Sequence, residues 1–184
     1  KLLLQALHDA GADMQAALNH QGADGVTALM WASQRGHTVK VQVLLDALRD
    51  AGADIQAALN LQNVYGWTAL NLASKIGNKD VVQLLLQALR DAGADIQAVV
   101  LNHRDPNGWT VFMRASITGN RAIVQLLLQA LRDAGADIQE AVLNHRDPNG
   151  WTVFMRASES WPTDMLKLLL QALHDAGADM QAAL

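Results

Sequence analysis

The chain contains no cysteine, which removes disulfides, Cys-ligated zinc and thiol catalysis together. Aromatic residues make up only 4 % of its 184 residues, so any large core must be aliphatic. No stripe of one charge is present. Acid and base are interspersed to a net −4, and nothing resembles a phosphate-neutralising surface, so no nucleic-acid partner is expected. No apolar run approaches the 18 or more residues of a membrane span, and no membrane partner is expected. No Asn-X-Ser/Thr sequon and no signal peptide are visible, and the first residue is Lys1. A cytoplasmic location, or a recombinant origin, is the expectation.

What is present is repetition. Gly11, Gly52, Gly93, Gly135 and Gly177 each lie in an Ala-Gly-Ala-Asp quartet, at spacings of 41, 41, 42 and 42 residues. Each quartet follows a leucine-rich run such as Leu84-Leu85-Leu86. A fixed period of this size marks units that cannot bury an apolar face alone and must stack to share one. The chain is half apolar, with Leu and Ala abundant, which favours helices.

One unit shows the grammar. Asp105-Pro106-Asn107-Gly108 reads as a tight turn, because Pro presets φ and Asn-Gly tolerates the left-handed region. Thr110 caps a short helix ending near Ser116, and Gly119-Asn120 interrupts it. A second helix over 121–134 is apolar on several faces, as a helix between neighbours must be. Gly135 ends it, where the absence of a Cβ counts most. Asp137 caps one further helical turn over 138–143. Equivalent long helices are expected over 39–51, 79–92 and 163–176.

These residues closely resemble the ankyrin repeat. Gly25-Val26-Thr27-Ala28-Leu29-Met30-Trp31-Ala32-Ser33 matches the family's Gly-X-Thr-Pro-Leu-His-X-Ala-Ala, and the pattern returns from Gly66, Gly108 and Gly150. The resemblance covers nearly the whole chain and implies an all-α solenoid. It divides the chain into a half-repeat over 1–22 and repeats over 23–63, 64–105, 106–147 and 148–184.

The departures are specific. The usual unit is about 33 residues. Here six residues part Leu86 from Gly93, adding about one turn to the long helix. The segment from Gly93 to Gly108 is also longer. The tetrad Pro is Ala or Val, and its His is Met30, Asn71, Met113 or Met155, so packing must replace the usual polar network. Trp161-Pro162 replaces Gly119-Asn120 in the last unit and reads as a rebuilt turn.

Residues 1–18 are identical to 167–184, and both copies carry His (His8, His174) and Met (Met14, Met180) where internal copies carry Arg and Ile. Either the ends were written deliberately, or a block of four repeats belongs to a larger array. Open solenoid ends expose apolar surface, so end-to-end self-association is one expectation.

In the family, partners meet the turn tips and the exposed side of the first helix. Carried onto this chain, the candidates are Val26, Tyr65, Trp67, Asn107, Trp109, Asn149 and Trp151 at the tips. Trp31, Asn71, Arg114 and Arg156 are the candidates on the helices. Trp, Tyr and Arg dominate binding hot spots. Trp67, Trp109 and Trp151 would form an aromatic row, unless each packs on the next turn. Residues 101–116 recur as 143–158, so those letters were copied together. The resemblance implies a non-catalytic protein-binding module. The alternative is an engineered or repetitive scaffold that stacks. No enzyme activity, cofactor or metal is expected. His103-Arg104-Asp105 spells a kinase catalytic triplet, but without a Gly-rich loop or a strand lysine it reads as a linker.

Overall fold

The computed structural model describes residues 13–160 and 163–177. The rebuilt turn expected at Trp161-Pro162, His8 and Met180 lie outside the described residues. The chain divides into two compact units, Lys1–Ala94 and Asp95–Leu184. Both are all-α.

The first unit holds α1 (Met14–Leu18), α2 (Ala28–Gln34), α3 (Thr38–Asp50), α4 (Ile55–Asn60), α5 (Ala69–Ile76) and α6 (Lys79–Asp91). Short and long helices pair as α2 with α3 and α5 with α6, and α2 packs on α5 as α3 packs on α6. The short helices start where a threonine can satisfy an orphan amide. Thr27 accepts from the Met30 N–H, and Thr68 forms a reciprocal capping box with Asn71. The long helices bury one broad stripe each: Val41, Leu45 and Leu48 in α3, and Val81, Val82, Leu85, Leu86 and Leu89 in α6. Truncating one such leucine to alanine costs about 2–5 kcal/mol through lost burial and the cavity left behind.

Polar groups join neighbouring repeats within the first unit. Gln21 Nε2 donates to Gly25 O at 2.7 Å and to Gln62 O at 2.8 Å. Asn78 Nδ2 donates to Ser33 O at 3.0 Å, closing the carboxyl end of α2. Gly25 has φ +73°, and a Cβ there would stand 2.9 Å from the Asn63 Cα, so this turn needs glycine on both counts.

The second unit holds a π-helical turn (Ala98–Asn102), α7 (Val111–Ile117), α8 (Arg121–Asp133), a second π-helical turn (Glu140–Asn144), α9 (Val153–Ser160) and α10 (Thr163–Asp175). Its core centres on Phe112, Ile123, Leu127, Leu131 and Leu169, all 1 % exposed or less. The long helices occupy the expected places, and Gly135 at φ +71° follows the end of α8.

The turn expected as plain helix over 138–143 differs. It is π-wound, with His145 N–H donating five residues back to Glu140 O at 3.2 Å, as His103 does to Ala98 O at 2.9 Å. The cause is one extra residue. From Gly52 to Gly66 is 14 positions, but from Gly93 to Gly108 and from Gly135 to Gly150 is 15. In the shorter segment Ile55–Asn60 stays α-helical. Where the extra residue enters, the helix widens to absorb it without moving its ends. This is the whole difference between the 41- and 42-residue steps.

Candidate functional site: turn tips and short-helix faces

Each tip is a turn closed by two backbone bonds. In the last one, Asp147 N–H donates to Trp151 O at 2.8 Å, and Gly150 N–H returns to Asp147 O at 2.9 Å. The side chain opening the turn does more. Asp105 Oδ1 accepts from the Asn107 and Trp109 amides at 2.9 and 3.0 Å, and Asp147 Oδ1 from Asn149 and Trp151 at 2.8 and 3.0 Å. Asn63 Oδ1 serves Tyr65 and Trp67 in the same way, at 3.0 Å each.

The aspartates carry a second partnership. Arg114 Nε donates to Asp105 Oδ2 at 2.8 Å, joined by Arg114 Nη2, and Arg156 reaches Asp147 Oδ2 at 2.9 and 2.7 Å. Both carboxylates are buried, and the arginines are about one-fifth exposed. Burial works to raise the Asp147 pKa. The Trp151 amide, the Arg156 guanidinium and the Asn149 amide outweigh it, holding the carboxyl below its ordinary range. Asp105 of the kinase-like triplet is therefore the acceptor of a turn.

His145, half-buried beside the same turn, has its pKa lowered by burial, opposed by Glu140 and reinforced by the Arg104 charge. Arg104 also spans two turns, donating from Nη1 to Gly108 O at 2.6 Å and to Arg146 O at 3.0 Å. It holds the position that Gln21 holds in the first unit.

The structure brings Trp109, Arg114, Trp151 and Arg156 together. The Arg156 guanidinium lies 4.8 Å from the Trp151 ring centre and 5.9 Å from that of Trp109, and Arg114 lies 5.6 Å from Trp109. The crevice among them has no room for a water molecule. Trp109 is half-buried, and Trp151 keeps 37 % of its surface exposed. Asn107 and Asn149 project at the tips.

In the first unit Tyr65 is exposed and stands 6.5 Å from the half-buried Trp67, whose face carries the Lys75 ammonium at 4.2 Å. Trp31 is 48 % exposed with Arg35 over its ring at 5.4 Å, and Val26 is half-buried.

Asn71 departs from its expected exposed position. It is 3 % exposed, and its Oδ1 accepts from the Thr68 amide and hydroxyl, because its place on α5 turns inward. Residue reasoning missed the Asp–Arg pairs. The signal was present, since Asp105 and Asp147 occur with Arg114 and Arg156, whereas Asn63 occurs with Leu72.

Capped short helices, long apolar helices and projecting tips, packed in the same way within each unit, define an all-α repeat protein of the kind that presents a surface. A family model described as ankyrin repeats (3 copies) matches residues 1–100 and again residues 95–183. The chain belongs to the ankyrin-repeat family, whose members are generally protein–protein interaction modules. A comparison with curated proteins yields no match. No described helix is long and apolar enough to cross a membrane.

Proposed function

We propose that this chain is a non-catalytic binding module that engages a protein partner through its tips and short-helix faces. The carrying observation is the exposure of large anchor side chains on rigid turns: Tyr65 at 65 %, Trp31 at 48 % and Trp151 at 37 %. Such groups lose little entropy on binding when their backbone is already bonded. Trp67, Trp109, Arg114 and Arg156 back these anchors, and Val26, Asn107 and Asn149 border them. Asn71 supports its helix from within and makes no contact with the partner.

The test is titration calorimetry of a partner, once selected, against the wild type and against Tyr65→Ala and Trp151→Ala. Both residues are exposed, so both variants should keep the native circular dichroism. A loss of about tenfold or more in affinity supports the reading. Unchanged affinity in both removes the tips from it.

A second reading, self-association of repeats, is favoured by Met155. It is 46 % exposed, whereas its equivalents Met30 and Met113 are 1 % and 2 % exposed under a neighbouring repeat. Light scattering over a wide concentration range tests it: a constant mass near 19.9 kDa rejects stacking.

A further inference from the structure

Asn107 and Asn149 are the asparagines of this chain that precede a glycine. A peptide bond of that kind can react with its own side chain. The glycine amide nitrogen gives its proton to hydroxide and attacks the asparagine Cγ, and glycine has no side chain to obstruct the approach. The new C–N bond closes a succinimide ring. The bond from Cγ to the side-chain nitrogen breaks, and that nitrogen leaves as ammonia with a proton from water. Water then opens the ring at either carbonyl, giving aspartate or isoaspartate. In isoaspartate the main chain runs through one extra carbon.

Both asparagines are exposed, so water reaches them. The turns nevertheless hold the reacting atoms apart. Gly108 N–H donates to Asp105 O at 2.7 Å, and Gly150 N–H to Asp147 O at 2.9 Å. No described residue other than glycine has a positive φ, so each is a type I turn with asparagine as its third residue. The asparagine ψ is then about 0°, which leaves the glycine nitrogen about 120° round the Cα–C bond from Cβ. The ring closes only after that peptide swings round and the glycine hydrogen bond breaks.

The same movement meets a second restraint. The amides of Asn107 and Trp109 are held by Asp105 Oδ1, and those of Asn149 and Trp151 by Asp147 Oδ1. Those carboxylates are in turn held by Arg114 and Arg156. We propose that Asn107-Gly108 and Asn149-Gly150 are sites of spontaneous deamidation, gated by the Asp105–Arg114 and Asp147–Arg156 pairs. Each pair keeps its own turn closed, and a turn that opens is converted. The product adds a negative charge two residues before Trp109 or Trp151, and isoaspartate lengthens the turn so that its bonds no longer fit together. The inference stands apart from the binding reading.

The two sites lie in identical stretches, 101–116 and 143–158, so their intrinsic reactivity is equal and each serves as the control for the other. The full chain is held in mildly alkaline buffer, native and also unfolded in guanidinium chloride. Cleavage after lysine and glutamate then places Asn107 on fragment 80–140 and Asn149 on fragment 141–159. Mass spectrometry reads the gain in mass at each site, and electron-transfer fragmentation tells isoaspartate from aspartate. Circular dichroism is recorded for every variant.

Conversion in the native chain should be at least about tenfold slower than in the unfolded chain at both sites. Arg156→Leu should speed Asn149 by about fivefold or more and leave Asn107 at its native rate, and Arg114→Leu should do the converse. Arg156→Lys keeps the charge without the paired donors and should fall between. Native rates equal to the unfolded rates overturn the proposal, as does the absence of conversion in the unfolded chain. A folded Arg156→Leu variant that speeds both sites alike, or neither, overturns it too. Should Arg156→Leu lose the native circular dichroism, Arg156→Lys decides: an Asn149 rate equal to that of the wild type removes the gate.

Discussion

Arg156 donates two hydrogen bonds to one oxygen of Asp147, from Nε at 2.9 Å and Nη2 at 2.7 Å, while the other oxygen holds the turn amides. One buried carboxylate thus ties the tip to the short helix behind it. Arg156→Leu leaves that charge without its counter-ion and should cost about 3 kcal/mol. Asp147→Asn with Arg156→Leu copies the Asn63 and Leu72 pair of another repeat and should recover more than half of the loss. Urea unfolding of the single and double variants checks this. Equal losses would show that the uncompensated charge is not the cause.

Two groups make stability fall as acid is added. Asp147, with its pKa depressed, stabilises the fold at pH above the unfolded value of about 3.9, and that contribution is lost as pH falls through its folded value. His145, also depressed, does the same at higher pH. Below about 6.5 the unfolded chain takes the proton first, so stability declines until the folded imidazole also titrates. His145→Gln should flatten the thermal midpoint between about pH 7 and 5 and leave the more acidic limb in place. A curve of unchanged slope would refute the assignment.

Deleting Val99 restores the 14-residue step between Gly93 and Gly108. The π-helical turn should close to a normal helix like Ile55–Asn60, at a cost of about 1 kcal/mol or less. Deleting Gln125 from the middle of α8 should instead unfold the second unit, because every buried residue beyond it would rotate off its face. Circular dichroism and urea midpoints distinguish the two. A Val99 deletion as damaging as the α8 deletion would mean that the π turn is required.

Arg104 joins two turns through carbonyls alone. Arg104→Ala should cost about 1 kcal/mol, and Arg104→Gln less, since Gln21 makes the same pair of bonds. Matching unfolding midpoints for the two variants would contradict the equivalence.

The legible features were the local ones. Thr110 acts on an amide three residues away, and Gly135 acts on its own backbone, so sequence alone placed these helix ends. Asn71 was misplaced because adjacent positions on a helix point about 100° apart, and the turn that buries one exposes the next. The Asp105–Arg114 pair spans a turn and a helix, so its geometry exists only after both have formed. The π turns were written in the one-residue difference between steps, but a period reports the length of a unit and not where the extra residue enters.

The placement of partners has a consequence for how such a chain can change. Asp147 ends repeat 106–147 and Arg156 lies nine residues on in repeat 148–184, so the pair forms across a joint, as Asp105 and Arg114 do one repeat earlier. Arg104 reaches the neighbouring repeat through a main-chain oxygen, which any neighbour offers whatever its side chains. The ion pair thus belongs to the joint between repeats, whereas the Arg104 bond there is indifferent to the neighbour's side chains. Because repeats 64–105 and 106–147 both end in Asp and the repeats after them both carry Arg nine residues on, adding or removing a unit such as 106–147 leaves no such carboxylate without its arginine.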